Sequence, residues 1–125
     1  MITELLLTAM IMVESGGNNL AVGDNGNGIG CLQIHKAVID DVNRVFKTNY
    51  TWPESAFSRE DAKIICRLYL KHYAKKYQKK TGQWATVNIL CALWNAGPNG
   101  PEKLQTNERL KSYVKKVKRE MEKNS

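Results

Sequence analysis

One carboxylate stands at the end of an apolar run. Residues 5–13 are almost wholly hydrophobic, and Glu14 follows, ahead of Ser15-Gly16-Gly17. A carboxyl group at the edge of apolar surroundings is penalised in its ionised form, which raises its proton affinity. An acid that keeps its proton near neutrality can donate it to a leaving oxygen, as glycosidic bond cleavage requires. Beside it runs a loop rich in Gly and Asn, with a second acid at Asp24 and a return through Gly30 to Gln33 and Ile34. Glycines let a backbone approach a ligand closely, and Asn, Asp and Gln offer partners for sugar hydroxyls. Taken singly, each feature has a plainer reading. Glu14 also fits a surface residue in a last helical turn, and Asp24 fits a turn residue before Asn25-Gly26.

The elements that would hold these residues are mostly helices. Thr3 is a fitting N-cap, and a helix runs from there to about Ser15, stopped by Gly16-Gly17. It is apolar almost all round, which predicts burial on most sides. Asn18 to Gly30 reads as loop, with a small irregular hairpin about Asp24–Gly28. Residues 31–34 read as a short strand or an extended lead-in. A second helix covers Lys36 to Phe46, and Asn49-Tyr-Thr-Trp-Pro53 is a connector. Ser58 caps a long helix to about Lys80, with Ile64, Ile65, Leu68, Tyr69, Tyr73 and Tyr77 as its apolar stripe. Thr86 to Trp94 is a short apolar helix closed by Asn95-Ala-Gly-Pro98. Asn107 caps a last helix from Glu108 to Lys123.

At 125 residues the chain fits one domain with its own core. The net charge of +7 favours a polyanionic partner, whether nucleic acid, acidic lipid or wall polymer. The excess sits at Lys75-Lys76, Lys79-Lys80 and Lys111–Arg119, and solvated helix faces explain it equally. No nucleic-acid motif accompanies it. Cys31, Cys66 and Cys91 are an odd number without metal-ligand spacing, so buried free thiols are expected, with no metal and no cofactor. The N-terminal run lacks a basic start, carries Glu4, and is too short to cross a bilayer, so no clear signal peptide is read there.

Three ordered stretches carry a resemblance. Glu14-Ser15-Gly16-Gly17, Gly30-Cys-Leu-Gln-Ile34 and Ala92-Leu-Trp-Asn-Ala-Gly-Pro98 resemble the Glu-Ser, Gly-Leu-Met-Gln and Ala-Tyr-Asn-Ala-Gly motifs of the lytic transglycosylase domain. Tyr113-Val-Lys-Lys-Val117 is similar to that family's later Tyr-Val motif. Residues 23–35 also resemble goose-type lysozyme. The likeness covers about residues 4–117. It implies a mainly α (α+β, lysozyme-like) single domain over 1–125, with a small hairpin region flanking a glycan cleft. It further implies a monomeric enzyme acting on peptidoglycan strands, at the MurNAc-GlcNAc β-1,4 bond.

Residue by residue, the resemblance makes Glu14 the catalytic glutamate and Ser15 the residue that orients it or the substrate. Gly30, Gln33 and the Ile34 backbone would line the sugar site. Asn95, Ala96 and Gly97 would form the facing wall, and Tyr113 would lie near Glu14. The chain departs from the pattern at Cys31, Trp94 and His35, the last standing where goose-type lysozyme has an acid. Two outcomes stay open. A hydrolase would need a second carboxylate to activate water, about 6.5–9.5 Å from the acid, and Asp24 is the candidate. A lytic transglycosylase needs none, because the substrate's own 6-hydroxyl closes a 1,6-anhydro ring. Asp24 favours the first outcome and His35 weakens it, so the transglycosylase is slightly preferred. Two other classes remain: a non-catalytic glycan-binding module, and a basic nucleic-acid binder that would leave the motif spacing unexplained. The chain's size and lone domain suit a phage lysis enzyme and a bacterial wall-remodelling domain alike.

Overall fold

A computed structural model describes all residues 1–125. It contains six α-helices and one two-stranded antiparallel sheet, the mainly helical fold expected from the sequence. In chain order the elements are α1 (Glu4–Ser15), β1 (Val22–Gly23), β2 (Gly28–Ile29), α2 (Lys36–Phe46), α3 (Glu54–Phe57), α4 (Arg59–Thr81), α5 (Val87–Ala96) and α6 (Glu108–Lys123). Short 3-10 turns cover Asp24–Gly26 and Gly100–Lys103. The chain divides into two compact units, Met1–Ala9 with Leu70–Ser125, and Met10–Tyr69.

In the first unit, α5 packs against α6 and against the 3-10 turn that follows it. Leu90 to Trp94 are all buried, so α5 is covered on most sides. α6 is amphipathic: Leu110, Tyr113, Val114 and Val117 recur at helical spacing and are buried, while Lys111, Lys115, Lys116 and Lys118 are exposed. Each such buried leucine or valine contributes about 1.5–3 kcal/mol. The caps are side-chain bonds. The Ile89 N–H donates to Thr86 Oγ1 at 3.3 Å and the Leu110 N–H to Asn107 Oδ1 at 3.0 Å. α5 outruns its expected end by two residues, taking in Asn95 and Ala96 before Gly97 closes it with a positive φ (83°).

In the second unit, Met10 and Ile11 of α1, Ile39 and Val42 of α2, and Ala62, Ile65, Cys66 and Tyr69 of α4 are buried. Ile64, expected in the apolar stripe of α4, is instead 40% exposed, because it stands one helical step away from the Ile65–Tyr69 line. The Asp61 N–H donates to Ser58 Oγ at 3.2 Å, the expected cap. Residues 31–34 are neither strand nor extended lead-in. Residues 30–33 form a turn, and Ile34 alone makes a bridge, to Ile29. The reason lies at Gly30 and Gln33, both with positive φ (79° and 52°), which a strand does not accept. The connector after α2 is closed by Asn43, whose Nδ2 donates to the Tyr50 carbonyl at 2.8 Å and whose Oδ1 accepts the Tyr50 N–H at 3.0 Å.

No helix is long and apolar enough to cross a membrane.

Candidate active site

Glu14 is the penultimate residue of α1 and is half-buried. The helix ends there because Gly16 and Gly17 both take positive φ (64° and 90°), and the Gly16 N–H closes the last turn on the Met12 carbonyl at 2.9 Å. Ser15 fastens this end to the loop. Its Oγ lies 2.9 Å from the Cys31 carbonyl and 3.1 Å from that of Ile11, and it accepts the Gly17 N–H at 3.2 Å. The hydroxyl is thus engaged with backbone on both sides and ties the end of α1 to the turn at Cys31. Arg59 adds a second tie, donating from Nη2 to the Gly17 carbonyl at 2.6 Å across 42 residues. Sequence reasoning missed Arg59, since nothing local to it signals a partner so distant in the chain.

The hairpin is two pairs long, Val22 with Ile29 and Gly23 with Gly28. So short a ladder is not stable by itself, and side chains complete it. Gln33 folds back over it, its Nε2 donating to the Gly30 carbonyl at 3.0 Å and the Ala21 carbonyl at 3.3 Å. Its Oε1 rests against Gly23 and Gly28, where a Cβ on either glycine would collide with it. A Cβ on Gly30 would run into the Ala56 carbonyl. Ile34 is fully buried, with N–H and carbonyl both bonded to Ile29, at 2.8 and 3.2 Å, and its carbonyl also accepts the Trp52 indole N–H at 3.0 Å. Gln33 and Ile34 therefore shape the hairpin, and their polar groups serve its backbone.

At the hairpin tip, Asp24, Asn25 and Gly26 take positive φ in succession (52°, 56°, 91°). Asp24 Oδ2 lies 3.1 Å from His35 Nε2, both side chains largely solvent-exposed. His35 directly precedes α2, but its ring makes no cap and turns to Asp24 instead. Cys31 is buried, and burial pushes its thiol above the ordinary range, against the smaller opposing pull of Arg59 and Lys63. It is the buried core thiol expected, and Cys66 and Cys91 are likewise buried and form no disulfide.

Glu14, Ser15, Asp24, Gly30, Gln33 and Ile34 all belong to the second unit. Asn95, Ala96, Gly97 and Tyr113 belong to the first. There, Asn95 is exposed on the last turn of α5, and the Gly97 carbonyl accepts the Gly100 N–H at 2.8 Å. A Cβ on Gly100 would strike the Ala92 carbonyl, so the Asn95–Gly100 turn requires glycine at its close. Tyr113 is buried in α6. No group of three or more His, Cys, Asp or Glu is arranged to hold a metal ion.

The family model described as the transglycosylase SLT domain matches residues 1–118. No curated protein and no solved structure matches the chain.

Proposed function

The chain belongs to the transglycosylase SLT family, and on that premise we propose that it is a lytic transglycosylase cutting the MurNAc-GlcNAc β-1,4 bond of peptidoglycan with Glu14 as acid and then base. The family is one of peptidoglycan-cleaving glycosidases, and its match runs over nearly the whole chain. We read residues 1–125 as one catalytic domain. The observation that carries the reading is Glu14 itself: a half-buried carboxyl on the last turn of α1, held by the Ser15 bonds to the turn at Cys31.

Glu14 gives its proton to the glycosidic oxygen as the bond from that oxygen to C1 of MurNAc breaks. The carbonyl oxygen of the substrate's N-acetyl group stabilises the positive charge at C1. The Glu14 carboxylate then takes the proton of the 6-hydroxyl, whose oxygen bonds to C1 and closes the 1,6-anhydro ring. Glu14 ends protonated, ready for the next strand, and no water is consumed. Ser15 positions Glu14. Gly30, Gln33 and Ile34 contribute the hairpin surface on which the sugar rests, Gln33 and Ile34 by bracing it. Asn95, Ala96, Gly97 and Tyr113 are the further residues assigned to substrate binding.

A second reading is hydrolysis of the same bond, with Asp24 positioning water. It draws support from the His35 contact, which orients an otherwise free carboxylate at the hairpin tip.

Mass spectrometry of soluble products from purified peptidoglycan tests both, with Glu14→Gln alongside. Fragments with 1,6-anhydro ends, lighter by one water, are expected, falling by about 10²–10⁴-fold in Glu14→Gln. Reducing ends would move the assignment to the hydrolase. Intact wall binding with no products from either protein would mean a non-catalytic glycan-binding module.

A further inference from the structure

The two units differ sharply in charge. The first carries thirteen Lys and Arg against five Asp and Glu, a net +8, and the second six against seven, a net −1. The whole excess of the chain therefore lies in the first unit. Within that unit is an open groove of about 580 Å³. Ala74, Ala85 and Leu90 line it, and Trp84 stands at its edge, 82% exposed. Trp84 is unlike the other two tryptophans: Trp52 has its indole N–H bonded to Ile34, and Trp94 is buried. A large aromatic left in water beside an apolar groove marks an interaction surface.

Lys71, Lys75 and Lys79 also line the groove, and no acidic side chain does. Their i, i+4, i+8 spacing puts them in one row on α4, spanning about 12 Å. Lys80, one residue further, is paired with Glu102 at 2.9 Å, whereas none of the three has an acidic partner. An unneutralised row of cations beside apolar floor and an exposed indole fits a partner that is anionic and apolar at once. A bilayer surface has both properties. Trp favours the headgroup level of a membrane, and lysines lay their stems on apolar surface while their ammonium groups meet phosphates. A single-stranded nucleic acid would favour several aromatics interleaved with the cations, and here Trp84 is the one aromatic in the groove.

We propose that the Trp84 groove docks the protein on an anionic lipid surface, with Trp84 among the headgroups and Lys71, Lys75 and Lys79 on their phosphates. The chain would lie on the membrane without spanning it. The proposal is independent of the cleavage reaction.

The test is co-sedimentation of the full chain with phosphatidylcholine vesicles, with and without about one-third phosphatidylglycerol, at low ionic strength. Binding to the anionic vesicles only is expected. Replacing Lys71, Lys75 and Lys79 together with Gln should lower it about a hundredfold, and Trp84→Ser about tenfold. Replacing Lys115, Lys116 and Lys118 with Gln removes the same charge elsewhere in the unit and should lower it less than tenfold. Lipids brominated on the acyl chain should quench emission of the native protein and not of Trp84→Phe. Equal loss in the two lysine triples, no effect of Trp84→Ser, or equal binding to neutral vesicles would overturn the proposal. So would Trp84-dependent binding of an oligonucleotide or a polyglutamate peptide by a chain that ignores the vesicles.

Discussion

His35 Nε2 lies 3.1 Å from Asp24 Oδ2, with the two side chains 47% and 63% exposed. On sequence grounds these residues pointed in opposite directions, Asp24 toward a water-activating hydrolase and His35 away from one. In the structure they are partners. The pair joins the tip of the hairpin to the start of α2, so the position of Asp24 depends on a residue eleven further along the chain.

The pair gives a clean discriminator. If the reaction is transglycosylation, Asp24→Asn and His35→Gln each leave product formation within about threefold, since no water need be placed. A hydrolase using Asp24 would lose about 10²–10⁴-fold in Asp24→Asn. Stability hardly moves in either case: an exposed pair is worth about 0–1 kcal/mol, and a double-mutant cycle in urea should read within that range.

Gly30→Ala should be severe. Gly30 is buried with φ 79°, and a Cβ would run into the Ala56 carbonyl. Backbone strain and a steric clash together put the loss at about 3 kcal/mol or more. Thermal melting should fall by roughly ten degrees or more. A drop under two degrees would mean the Gly30–Ala56 approach relaxes without cost.

Gln33→Ala removes both bonds to the Ala21 and Gly30 carbonyls and leaves a void over Gly23 and Gly28. The expected cost is about 1–3 kcal/mol. Amide exchange should quicken in the hairpin, at Ile29 and Gly30, and stay unchanged in α5 and α6. KM should rise more than kcat falls, because Gln33 braces the surface and does not touch the reacting atoms. A fall in kcat alone would argue for direct contact with the transition state.

The Cys31 thiol has a definite pH consequence. Burial raises its proton affinity in the folded state above the ordinary thiol value of 9.0. The stabilisation is therefore present in full below about pH 9 and declines as pH rises toward the folded value. Urea midpoints should be flat across this group's range at neutral pH and fall in alkali, and Cys31→Ala should lessen that fall. Thiol reagents at pH 8 should label Cys31 only on unfolding.

The helices were legible because their signals are local. Thr3, Ser58 and Asn107 were read as caps, and each accepts the expected backbone N–H, from Leu6, Asp61 and Leu110. Glu14 and the glycines around it were legible as a chemical pattern, and the family match agrees with the resemblance. What stayed hidden are contacts across long stretches of chain. Arg59 on Gly17, Trp52 on Ile34 and His35 on Asp24 leave no trace in neighbouring residues. α3 was missed because four residues carry too little periodicity to read. The resemblance puts Gln33 and Ile34 at the sugar site, but it carried no sign of the Gln33 bonds to the Ala21 and Gly30 carbonyls. Composition does not say which way an amide points, and here it points into the hairpin.

The division of the chain has a consequence for synthesis. The second unit is one continuous stretch, Met10–Tyr69, and all its residues exist once Tyr69 has left the ribosome. The first unit joins Met1–Ala9 to Leu70–Ser125. Leu6, Leu7 and Ala9, fully buried in the finished fold, are thus made before any of the second unit, and their own unit is completed only after some sixty intervening residues have emerged. During that interval the nascent chain presents this apolar segment to whatever is nearby. A holding chaperone should bind ribosome-bound chains arrested at Tyr69 and release those extended through α6.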